Sequence, residues 1–128
     1  DVIQADGGTR TAAITGAYVA LALALKRMEA RGELPEDALR TPIAATSLGL
    51  VEGQLLLDLC YTEDAAASSD FNIVMTGDGH FVEVQGTAEG EAYGRQFLDD
   101  ALDLAEAGIG QLLDLQGKAI AAALEANT

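Results

Sequence analysis

Two short glycine-marked turns constrain this chain most. Glu52-Gly53 separates the apolar runs Ile43–Val51 and Gln54–Tyr61, and Gly77-Asp78-Gly79 separates Phe71–Met75 from Phe81–Gln85. Runs joined by so few residues pair antiparallel, because a parallel connection needs a crossover of about a dozen residues or more. Two longer segments of helical period flank these strands. In Thr9–Arg31, the residues Ile14, Tyr18, Leu21, Leu25 and Met28 share one face. From Arg95 onward, Leu98, Leu102, Ala105, Ile109 and Leu112 do the same, and Ile120 and Leu124 continue the stripe. The pattern predicts an α+β domain, a layered and mostly antiparallel sheet with two long helices packed on one face.

The remaining segments read as connections. Gly32 stops the first helix, and Pro35 and Pro42 bracket a loop. Thr62–Asp70 is small and polar and reads as a loop. Gly86–Gly94 reads as an irregular glycine loop, whose first residues could turn near a ligand. Gly108, Gly110 and Gly117 each cost about 1 kcal/mol against alanine inside a helix, so they either permit close packing or mark a break. Asp1–Ala5 reads as a strand cut at its start. That suggests a fragment, a processed product or one piece of a split protein.

Composition narrows the function. The chain has 128 residues, suited to one domain, and 49% of them are apolar. Its net charge of −14 argues against coating nucleic acid unaided. The single cysteine, Cys60, excludes an internal disulfide and lies in an apolar run, so it reads as a reduced structural thiol. No signal peptide and no membrane span is legible, which makes the cytoplasm the default.

Three features could carry chemistry. Asp6-Gly7-Gly8-Thr9-Arg10-Thr11 joins an extended segment to a helix start. Glycines let the backbone approach a ligand, free N–H groups at a helix head favour an anion, and arginine offers a fork suited to phosphate. The same spacing also suits a plain glycine turn, with Thr9 as N-cap and Arg10 in solvent. Asp64 and Asp70 flank only small residues, so a loop could bring both carboxylates to one Mg²⁺ with phosphate oxygens completing the shell. Solvated loop acids are the competing reading. Glu83 and Glu89 are further acids nearby. His80 beside Asp78 reads as an exposed turn residue.

Taken together, the segments resemble the ribonuclease PH family. The resemblance rests on residues 1–11, on Glu63-Asp64 followed by Asp70-Phe71-Asn72-Ile73-Val74-Met75-Thr76, and on Phe81-Val82-Glu83-Val84-Gln85-Gly86-Thr87-Ala88-Glu89-Gly90-Glu91. It runs to about Leu124 and covers the second half of the family's chain, so residues 1–32 would carry the phosphate loop and helix and residues 42–128 four strands and the last helix. It implies a phosphate-dependent 3′-to-5′ exoribonuclease that trims transfer RNA precursors and releases nucleoside diphosphates. Gly8, Thr9 and Arg10 would hold inorganic phosphate. Asp64 and Asp70 would be catalytic and would associate with Mg²⁺ or Mn²⁺. Hexameric rings of subunits are implied, as is an upstream half that supplies another arginine and much of the RNA-facing surface. Between Asp64 and Asp70 this chain has no acid, a departure from the pattern that the resemblance implies. Two other readings stand beside this one: a catalytically inactive scaffold subunit or isolated folding domain of the same family, and an anion- or metal-binding module unrelated to RNA.

Overall fold

The computed structural model describes residues 1–127. Helix α1 spans Thr9–Ala30, β1 Ile43–Val51, β2 Gln54–Leu57, α2 Tyr61–Ala66, β3 Ser69–Thr76, β4 Phe81–Ala88 and α3 Arg95–Glu125. The strands form one sheet in the order β2-β1-β3-β4, and every neighbouring pair is antiparallel. The β1–β2 turn places Glu52 and Gly53 at φ of 50° and 79°, the left-handed pair that a two-residue hairpin requires.

Alternation along the strands sorts their side chains. Ala44 and Leu48 of β1 and Phe71, Ile73 and Met75 of β3 face α3, where Ala101, Ala105 and Ile109 meet them, and none of these is more than 2% exposed. The rings of Tyr93 and Phe97 extend this core around Phe71, with centroids 5.1 and 5.9 Å away. Helix α3 runs without a break. A Cβ at Gly108 would lie 2.6 Å from Leu57 Cδ2, so this glycine permits close packing on β2, whereas Gly110 and Gly117 face open space.

Helix α1 lies beside α3 and also closes an edge of β1. Strand β2 pairs with β1 only from Leu48 onward, which leaves Ala45 without a strand on that side. The Thr15 hydroxyl takes the strand's place. It accepts from the Ala45 N–H at 2.9 Å and donates to the Ala45 carbonyl at 3.1 Å. Gln116 Nε2 then donates to the carbonyls of Thr15 and Ile43, both at 2.9 Å, and ties α3 to this seam. The expected apolar stripe of α1 is therefore only partly covered: Leu21 is 50% exposed, and the buried residues are Thr11 and Ala22.

Other expectations also need correction. Residues 1–5 form no strand, because no ladder accepts them, and Ile3 is fully exposed. The second strand stops at Leu57 because Asp58 turns the chain at a φ of 58°, with its N–H bonded to the Ser47 carbonyl at 2.7 Å. Tyr61–Ala66 is a helix rather than part of a loop. Strand β4 runs on to Ala88 because it pairs with the start of β3, Asp70 opposite Thr87 and Ser69 opposite Ala88. Gly86 therefore sits within a strand, where a Cβ would strike the Phe71 ring. Among the described residues, no helix is long and apolar enough to cross a membrane.

Candidate functional site

The head of α1 is built from backbone. Gly7 and Gly8 are both left-handed, at φ of 69° and 55°, and Gly8 rather than Thr9 is the N-cap. No side chain caps the helix, so the N–H groups of its first turn are left for solvent or a ligand. The Thr11 hydroxyl donates to the Gly8 carbonyl at 2.9 Å and shapes this turn. Arg10 extends from the first turn, its Nη2 2.6 Å from Glu83 Oε2 on β4. The Glu83 carboxylate pushes the already high guanidinium pKa higher, so Arg10 stays cationic.

Helix α2 holds the first acid. Its N-cap is Cys60, and the Cys60 N–H is bonded to Glu63 Oε2 at 3.0 Å in a capping box. The thiol is free, half-buried and 3.2 Å from the Thr62 hydroxyl, a structural position at a helix end and not in a strand. Asp64 lies one turn along, its N–H bonded to the Cys60 carbonyl at 2.9 Å. Asp70 is the second residue of β3 and is half-buried. Burial is the main cause that raises its carboxyl pKa, and the charges of Asp64 and then Glu89 add to it.

Register places the two halves of the site on one face of the sheet. Asp70 pairs with Gly49 and Thr87, Asn72 with Ser47 and Gln85, and Val74 with Ala45 and Glu83. All alternate with the residues that face α3, so they point away from it. Gly8 sits over Ser47, since a Cβ there would lie 3.0 Å from Ser47 Oγ. Arg10 crosses β3 to reach Glu83. The ion pair thus holds Arg10 opposite Val74, about 13 Å along the strand from Asp70 at ordinary strand rise. Asn72 lies between them.

The acids suit a hard cation in part. Asp64 is close enough to Asp70 to raise its pKa, so a cation there would relieve repulsion, and two carboxylates plus phosphate oxygens form a usual Mg²⁺ shell. Among the described residues, no group of three His, Cys, Asp or Glu side chains could hold a metal ion by itself. His80 is exposed and its Nδ1 is 3.1 Å from Asp78, which it joins with Thr76 in a hairpin network at the opposite end of β3 from Asp70. A cavity of about 450 Å³ lies among Ala12, Thr15, Leu57, Gly108, Leu112 and Leu115, and it reaches the head of α1 through Thr11 and Asp58. The candidate site is therefore an open surface.

Spacing gave no roles to three residues of this surface. Glu83 holds Arg10 across 73 residues of sequence, Asp6 accepts a hydrogen bond from Tyr61 across 55, and Ser47 Oγ is buried under Gly8 with no hydrogen-bond partner among the described residues. Asp6 had a local signal in its place in the glycine motif, and Glu83 had one as an acid of the Phe81–Glu91 motif.

Comparison with known proteins agrees with this architecture. Residues 41–108 match the 3′ exoribonuclease family, domain 2. The chain is 56% identical over 123 residues to ribonuclease PH of Crocosphaera subtropica, covering 96% of this chain and 51% of that one. It is 54% identical over 116 residues to ribonuclease PH of Dehalococcoides mccartyi, covering 91% of this chain and 48% of that one. The crystal structure of rice (Oryza sativa) Rrp46 superposes with a TM-score of 0.71 at 16% identity, covering 93% of this chain and 51% of that one, which shows a shared fold. The chain belongs to the 3′ exoribonuclease family, and its sequence corresponds to the C-terminal half of a ribonuclease PH. It spans about half the length of the curated relatives it matches.

Proposed function

We propose that this chain carries the phosphate-binding and acidic parts of a phosphate-dependent 3′-to-5′ exoribonuclease. One observation carries the reading: the head of α1 and the Asp64–Asp70 pair border the same face of one sheet. Gly8, Thr9 and Arg10 hold inorganic phosphate by backbone N–H groups and a guanidinium. One oxygen of that phosphate attacks the last phosphodiester of an RNA 3′ end. A new P–O bond forms, the bond to the preceding ribose 3′ oxygen breaks, that oxygen takes a proton, and a nucleoside diphosphate leaves. Asp64 and Asp70 hold Mg²⁺ or Mn²⁺, which supplies charge neutralisation at the phosphoryl group when bound. The protein's own share is rigid placement of the phosphate against the scissile bond.

Transfer RNA precursors in the cytoplasm are the substrate we assign, and oligomeric assembly with an upstream-half polypeptide is the form we expect to be active. The experiment is release of nucleoside diphosphates from a short RNA, with and without phosphate, by this chain mixed with the upstream half of a ribonuclease PH. Phosphate-dependent release that disappears in both Arg10→Ala and Asp70→Ala supports the reading. Release that persists without phosphate rejects it.

One observation favours the inactive-scaffold alternative: Arg10 is engaged by Glu83. Glu83→Gln discriminates the two. It frees Arg10 and tightens phosphate binding if the site is functional, and it changes nothing if the motif is only structural.

A further inference from the structure

We infer that Asp6 is a positioning residue that locks the phosphate loop to the helix bearing Asp64. The inference rests on the reading above and adds how the two parts of that site keep a fixed separation. Asp6 Oδ1 accepts from the N–H of Tyr61, the first residue of α2, at 2.8 Å. That N–H has no partner within its own helix, as for any first-turn amide. Helix α2 has 6 residues, far too few to persist alone, so its geometry depends on its caps. Glu63 satisfies the Cys60 N–H, and Asp6 reaches in from 55 residues upstream to satisfy the next.

Gly7 makes the lock tight. A Cβ there would strike the Leu59 carbonyl oxygen and lie 2.7 Å from the Cys60 carbonyl carbon. The loop therefore rests directly on the backbone that begins α2. A left-handed φ of 69° also excludes other side chains. The two glycines thus divide the work. Gly8 opens the head of α1, and Gly7 seats the loop on Leu59–Cys60. The charge of Asp6 gives independent support. A carboxylate two residues before an anion-binding N-cap opposes phosphate, so it is explained by what it bonds on the other side. With the lock closed, movement of the phosphate loop carries Asp64 with it.

The test compares Asp6→Ala and Asp6→Asn with the wild type by two readouts. The first is hydrogen exchange at the Tyr61 amide of the 128-residue chain, which needs no activity. The second is phosphorolysis of a short RNA by the chain with its upstream half, separating kcat from KM for phosphate. We expect Asp6→Ala to speed Tyr61 exchange and to lower kcat by about ten- to a hundredfold, the range that small misplacement costs, with little change in KM. Asp6→Asn, which keeps the acceptor oxygen, restores both. Unchanged exchange and kcat in Asp6→Ala overturn the lock, and so does a change in KM alone. If the wild type shows no phosphate-dependent turnover but Tyr61 protection still depends on Asp6, the enzymatic reading falls and the lock stands. If neither is seen, both fall.

Discussion

Phe71 and Asp70 are neighbours on β3, yet they live in opposite environments. Phe71 is fully buried between α3 and the rings of Tyr93 and Phe97. Asp70 looks the other way, where partial burial, and then the charges of Asp64 and Glu89, hold its carboxyl above the usual range. One face of the sheet is apolar, dry and covered. The other is covered at Ala45, Ser47 and Val74 and turns polar and more exposed toward Asp70. The difference teaches that stability and proposed chemistry are separated here by a single step of the strand period. Substitutions at Phe71 and at Asp70 should therefore act with opposite signs.

The largest effect belongs to the covered face. Phe71→Ala should cost about 3–5 kcal/mol, read as a lower midpoint in urea unfolding, because it removes the ring around which the aromatic cluster packs. A near-neutral result would mean that α3 does not seal this face. Next comes Gly7→Ala, which places a Cβ against the Leu59 carbonyl at a left-handed φ and should cost about 2 kcal/mol or more in the same measurement. On α3 the contrast narrows to two glycines. Gly110→Ala faces open space and should stabilise by up to about 1 kcal/mol, whereas Gly108→Ala should gain less or lose, because Leu57 occupies its side.

The smallest effect has the most telling sign. A raised Asp70 pKa means that the folded state binds this proton more tightly than the unfolded chain does. Stability contributed by Asp70 therefore falls as pH rises from the ordinary carboxylate range through the raised value, and the penalty is complete above it. Asp70→Asn should unfold at a higher temperature than the wild type at neutral pH, with the gain fading toward about pH 3, where both forms are neutral. Lower stability of Asp70→Asn at neutral pH would show that Asp70 is satisfied rather than crowded.

Much of the covered face was legible in the sequence. The turns at Gly53 and Gly79 dictated antiparallel pairing, and the stripe through Ala105 and Ile109 reached the sheet as its period required. The other face was legible only as motifs. Helix α2 escaped notice because six residues carry little period and its N-cap is a cysteine rather than serine or aspartate. The end of β4 was misplaced because Gly86 is set by the Phe71 ring across the strand pair, not by a turn. The Arg10–Glu83 and Asp6–Tyr61 contacts join residues far apart in sequence, which no local spacing reveals. Residues 1–5 read as a strand from their composition, but a strand also needs a partner.

The central claim is that the head of α1 and the Asp64–Asp70 pair act as one site. It is tested most directly by the phosphorus relaxation of inorganic phosphate added to the chain together with Mn²⁺. The account predicts strong paramagnetic relaxation of bound phosphate in the wild type, lost in Arg10→Ala through loss of the anion and in Asp70→Ala through loss of the cation. Phosphate and Mn²⁺ that both bind the wild type without sensing one another would contradict it.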